Sequence, residues 1–152
     1  MGTRHNLANC YNALGRIEES LALHRELYAR AVAHNHSSAD IFYTVLALSI
    51  SLIRCARYEE TKSFLRKQLP NARRALGAEN DTFLRLRGMY AKCLCLADID
   101  SRDNVAEAVT IFEELSSTVR RIYGTSHPLL ETVQHDLELM QEQLAAFDAP
   151  DA

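Results

Sequence analysis

At 152 residues, 47% hydrophobic and 24% charged, the chain is long enough to bury one core and has the composition of an ordinary globular domain. Its 17 basic and 20 acidic side chains leave a formal charge of -3, which supplies no field for DNA, RNA or an anionic membrane surface. The most apolar run, Ile41 to Ile53, is broken by Tyr43, Thr44, Ser49 and Ser51 and falls short of the roughly 20 residues that span a bilayer. Residues 1–9 carry no secretory pattern, so the expected compartment is the cytosol.

Leu7, Cys10, Tyr11 and Leu14 recur at helical spacing and predict a first helix, ended by a turn at Gly15-Arg16. A second helix is expected from about Ile17 to Ala33. Asp40 is read as the N-cap of a third, which continues to about Cys55 and turns at Ala56-Arg57. The fourth spans about Tyr58 to Leu76, with Gly77 as its stop and a kink predicted at Pro70, whose ring opposes the Arg66 carbonyl; the alternative is a separate short helix starting at Pro70. Asn80-Asp81-Thr82 opens the fifth, which runs to about Ala97. After the polar loop Asp98 to Asp103, a sixth is expected from Asn104 to Tyr123, closed by Gly124. Pro128 suits the first turn of a last helix reaching about Phe147.

Three of these helices open alike: Ile17-Glu18-Glu19-Ser20, Tyr58-Glu59-Glu60-Thr61 and Val105-Ala106-Glu107-Ala108. The first two starts are 41 residues apart and the next two 47, and the six extra residues fall in the loop at Asp98 to Asp103. The chain is therefore read as helix–turn–helix units at about 3–36, 40–77 and 80–124 with a capping helix at 127–147, in one domain over 1–147 followed by a disordered tail at 148–152.

Leu7-Ala8, Tyr11, Gly15-Arg16, Ile17 to Ser20 and Leu27 resemble the tetratricopeptide repeat in residue type and spacing. The usual period of that repeat is about 34 residues. The longer period here, with Tyr123-Gly124-Thr125-Ser126-His127-Pro128 at the end of the third unit, is similar to the kinesin light chain variety. The resemblance implies an all-α superhelix of three hairpins plus the last helix, acting without catalysis as a protein-binding scaffold. An alternative is a regulatory or structural segment of a larger enzyme or of a motor adaptor. In such repeats the first helix of each unit faces a concave groove that holds a peptide or protein segment. On that basis the groove residues are His5, Asn6, Asn9, Asn12, Tyr43, Ala47, Ile50, Arg54, Leu84, Arg87 and Ala91. Asn6 matches an asparagine that reads peptide backbone in kinesin light chains, whereas Ala47, Gly88 and Asp136 stand at the corresponding places later in the chain. For Ile50 and Ile53 core packing is the stronger alternative, because their helix is apolar nearly all round.

Other clusters carry little chemistry. The cysteines, Cys10, Cys55, Cys93 and Cys95, are expected as small buried thiols, and His34 and His36 lack a third metal ligand in sequence. No phosphate-binding glycine loop or nucleophile motif is present, so neither cofactor nor metal is expected. Lys62, Arg66, Lys67, Arg73 and Arg74 on the fourth helix read as a solvated face. The expected partners are a protein segment in the groove and, through an uncapped first helix, a second copy of the chain.

Overall fold

The computed structural model describes residues 2–150. Among these it contains seven helices and no strand: α1 (Gly2–Ala13), α2 (Ile17–Ala33), α3 (Ser38–Arg54), α4 (Tyr58–Leu76), α5 (Asp81–Ala97), α6 (Arg102–Tyr123) and α7 (Pro128–Asp148). The all-α repeat predicted from the sequence is thus the fold. The chain divides into two compact units, Met1–Phe83 and Leu84–Ala152, with the boundary inside α5. In the expected tail, Asp148 belongs to α7 and is paired with Arg102 at 2.6 Å; residues 151–152 lie outside the described residues.

The turns explain the helix boundaries. After α1 the Arg16 N–H donates to the Tyr11 carbonyl (2.8 Å) and the Gly15 N–H to the Asn12 carbonyl (3.2 Å). The equivalent turn after α3 repeats both bonds, from Arg57 to Leu52 (2.9 Å) and from Ala56 to Ile53 (2.9 Å). This pair of crossed bonds requires a left-handed residue one position past the helix's C-cap. Gly15 supplies it at φ 74° and Ala56 at φ 55°, so alanine holds a conformation in the second unit that glycine holds in the first. Gly77 and Gly124 end α4 and α6 differently, with φ/ψ of 93°/157° and 80°/-173°, a region open essentially to glycine alone.

Two predicted starts shift. Ser37, not Asp40, caps α3: its hydroxyl accepts from the Asp40 N–H (3.2 Å) and donates to the Asp40 carboxylate (2.6 Å), so Asp40 sits inside the first turn. Ser101 likewise starts α6 ahead of Asn104, whose N–H it accepts at 3.3 Å. Each hydroxyl satisfies one of the amide donors that a helix start leaves unpaired. Asn80 caps α5 through the N–H groups of Thr82 (2.9 Å) and Phe83 (3.3 Å). Pro70 lies within α4, which continues to Leu76, so the alternative of a separate helix falls.

In the first unit α1 packs on α2, α2 on α3 and α3 on α4. Leu21, Leu48 and Leu52 form a core against which Tyr28, Cys55 and Phe64 pack. The face of α1 differs from its apolar pattern. Its buried residues are His5 and Ala8, while Leu7 and Leu14 are 45% and 72% exposed and Cys10 is exposed too. Ala8 and His5 lie one turn apart, and the small methyl side chain of Ala8 lets the helices approach closely. In the second unit α6 packs on α7 with Val105, Phe112, Leu115, Val119, Leu129, Leu130 and Val133 buried. Gly88 of α5 passes close to α6, where an added Cβ would stand 3.7 Å from Leu115 Cδ1. Leu139 is exposed on α7.

Candidate functional site

The predicted groove residues must be taken unit by unit. In the first unit Asn6, Asn9, Tyr43, Ile50 and Arg54 are exposed, and Asn12 and Ala47 are half-buried. Tyr43 (51% exposed) and Ile50 (40%) are two helical turns apart on α3 and so share a face. Ile50 therefore stands on the surface side of the alternative left open by the sequence, and Ile53 is half-buried.

Two contacts bring the edges of α1 and α3 together. At one end the His5 and Tyr43 rings meet edge to face with centroids 5.0 Å apart. At the other, Arg54 donates a 3.4 Å hydrogen bond to the Asn12 backbone carbonyl. Between them the surface combines the amides of Asn6 and Asn9 with the apolar Tyr43 and Ile50. The Asn12 Oδ1 atom beside this surface is buried without a protein donor. His5 is a correction to the predicted set: only 6% exposed, it is held inside by Tyr43 and by His24 of α2 rather than offered to a partner.

The second unit treats its share differently. Leu84 and Ala91 are fully buried, so these two side chains also leave the set of accessible residues. Arg87 does contact a carboxylate, but it is the chain's own: Glu114 of α6 accepts its guanidinium at 2.7 Å. Lys92 reaches Asp136 of α7 at 3.4 Å, which gives a buried carboxylate a cation. At the start of α7 the His127 ring stacks on Tyr123, with centroids 4.6 Å apart, and its Nδ1 accepts the Leu129 N–H at 3.2 Å. The Tyr-Gly-x-x-His-Pro sequence is therefore a helix-to-helix joint.

The remaining clusters do not gather into a reactive centre. Cys93 and Cys95 are buried, Cys55 is half-buried and Cys10 exposed, so the expectation of four buried thiols holds for only part of the set. Burial pushes the Cys95 thiol up to about 11, which keeps it protonated and unreactive near neutral pH. The His34 and His36 rings lie 6.4 Å apart, and among the described residues no group of three or more His, Cys, Asp or Glu is placed to hold a metal. On α4, Lys62 pairs with Glu59 at 2.7 Å, whereas Arg66, Lys67 and Arg73 are exposed. No helix among the described residues is long and apolar enough to cross a membrane.

The geometry up to the end of α2 is that of one helical hairpin, closed by Gly15 and packed through Ala8. Residues 1–35 match the tetratricopeptide repeat family. The matched segment includes α1, α2 and the α1 half of the exposed surface. Repeats of this kind generally mediate protein–protein interaction. No curated protein matches the chain.

What sequence reasoning missed is the polar interior of this repeat. His24 of α2 is 2% exposed, and its Nδ1 is hydrogen-bonded to Ser51 Oγ of α3 at 2.7 Å. The 41-residue period did contain the signal, since Ser51 stands where the first unit has Cys10 and His24 where the second has Leu65.

Proposed function

We propose that the chain is a non-enzymatic protein-binding module that holds a peptide or protein segment on the α1–α3 face of its first unit. The observation that carries this reading is the exposed Tyr43–Ile50 pair, bordered by Asn6 and Asn9 and ended by Arg54. Tyrosine offers apolar contact with a polar tip, the amides can pair with an extended backbone, and the arginine suits a carboxylate. A segment with an apolar centre and an acidic residue matches that order. In the second unit Arg87, already bound by Glu114, is secondary to Arg54. The 41-residue period and the Tyr123 to Pro128 joint support a place in the long-period, kinesin light chain-like variety of the repeat.

Selection from a displayed peptide library tests the surface. The wild-type chain is expected to enrich apolar–acidic sequences, and the double variant Tyr43→Ala, Arg54→Glu to lose them while a Lys67→Glu control keeps them. Enrichment of the same peptides by the double variant at unchanged helicity would overturn the assignment.

A second reading follows from the outer side of α1, where Leu7 and Leu14 stand exposed at i and i+7: the chain self-associates there. Sedimentation at rising concentration is expected to show a dimer that Leu14→Glu abolishes. A monomer throughout removes this reading without touching the first.

A further inference from the structure

The first unit encloses a cluster of polar groups that peptide binding does not use. His5 of α1 and His24 of α2 have ring centroids 5.7 Å apart, and both are more than nine-tenths buried. His24 spends its Nδ1 on Ser51 of α3, and His5 rests edge-on against Tyr43 of the same helix. Three helices thus converge on two imidazoles. The Nε2 atoms of both rings, and the Oγ of fully buried Ser20 one turn before His24, have no protein hydrogen-bond partner.

The charges around the pair decide its behaviour. On α1 the one charged side chain, Arg4, is engaged by Glu26 of α2. On α2, Arg25 is paired with Glu60 of α4 at 2.6 Å. Between Asp40 and Arg54, α3 carries no charged side chain, and Tyr43 is its one titratable group. The charge that acts across the pair is a like one, His5 on His24. Among the described residues, no carboxylate is paired with either ring.

We propose that the His5–His24 pair is an acid-released latch: protonation of the rings forces α1, α2 and α3 apart, so the first unit opens at mildly acidic pH while the second stays folded. Both rings are neutral in the closed form, and a buried imidazolium without a carboxylate must either regain water or lose its charge. Burial lowers the pKa of His24 from 6.5 to about 4, with His5 adding to the effect, and it lowers that of His5 too. Below pH 6.5 the open form therefore binds more protons than the closed one, so closure weakens as pH falls from about 6.5 towards about 4 and levels off below that. Each histidine contributes at most about a tenfold rise in the opening constant per pH unit.

Amide hydrogen exchange on the whole chain, followed by NMR from pH 7.5 to 4 and corrected for intrinsic rates, tests the latch. The expected result is a joint loss of protection in α1, α2 and α3, steeper than one proton per opening event, while α6 and α7 keep theirs. In His24→Leu, the steepness should fall by about one proton. The proposal is overturned if α1 to α3 stay protected down to pH 4, if the His24 ring takes up its proton with native amide signals intact, or if the leucine variant opens with unchanged steepness. Should that variant fail to fold, the wild-type profile and the His24 ring titration decide alone.

Discussion

The two units bury different things. Seven of the eight buried polar side chains among the described residues, His5, Ser20, His24, Thr44, Ser49, Ser51 and Thr61, lie in the first unit, against Asp136 alone in the second. Some are cheap: Thr44, Ser49 and Thr61 return their hydroxyls to backbone carbonyls three or four residues earlier in the chain. Others, the two imidazoles and Ser20, are not fully satisfied. The second unit closes α6 on α7 with aliphatic residues and Phe112, and its one buried acid has Lys92. The same repeat pattern thus supports a stable apolar pairing and a more conditional polar one.

Deleting apolar volume from the second unit should give the largest effect. Phe112, 1% exposed, lies opposite Gly88 in a close helix crossing, and Phe112→Ala is expected to cost about 3–5 kcal/mol in urea unfolding. A loss no greater than that of an exposed substitution would mean the second unit does not depend on its apolar core. Next comes Gly77→Ala at the end of α4. Open space surrounds the position, so the cost is backbone strain alone, about 1–3 kcal/mol, and a neutral result would deny that the turn needs its positive φ.

A change of opposite sign tests the first unit. Ser20→Ala removes a fully buried hydroxyl that lacks a partner, so it is expected to stabilise by about 1 kcal/mol, by the desolvation cost of an unmade hydrogen bond. Loss of stability would show that the hydroxyl has a partner after all. Ala56→Gly should also stabilise, by some tenths of a kcal/mol, because relief of the left-handed alanine slightly exceeds the entropy that glycine adds to the unfolded chain.

Particular residues show what the sequence made legible. Gly15, Gly77, Gly124 and Pro128 punctuate the chain through backbone constraints that belong to the residue itself, so α2 and α4 were placed to the residue. Ser37 and Asp40 are both good caps, and only the geometry shows which one stands outside the helix. On α1, Leu7, Cys10 and Leu14 form the better apolar stripe, yet the residues buried are Ala8, the small residue of the repeat pattern, and His5. Helical periodicity finds a stripe but does not say whether a neighbour covers it. Of the predicted groove residues, those on α1 and α3 other than His5 are at least partly accessible, while Leu84 and Ala91 share their spacing and are buried.

The smallest effect sharpens the contrast at its edge. Arg102, at the start of α6, holds Asp148, at the end of α7, with two bonds of 2.6 and 3.0 Å. Nearby, Gln143 donates to the Ile99 carbonyl at 3.2 Å, so the inserted loop before α6 is tied to the last turns of α7. The hydrogen bond from Arg102 keeps the Asp148 carboxyl below its ordinary value of 3.8. Such a group stabilises the folded form above its unfolded pKa and loses that contribution as pH falls through the lower folded value. Because both side chains are solvent-exposed, screening leaves little of this for the unit as a whole. Arg102→Gln is therefore expected to leave the urea midpoint unchanged and to speed amide exchange only around Ile99 to Ser101 and the end of α7. A shift of the midpoint would mean that the apolar α6–α7 contact is not sufficient to hold the second unit, and that its surface charges share the role the buried imidazoles have in the first.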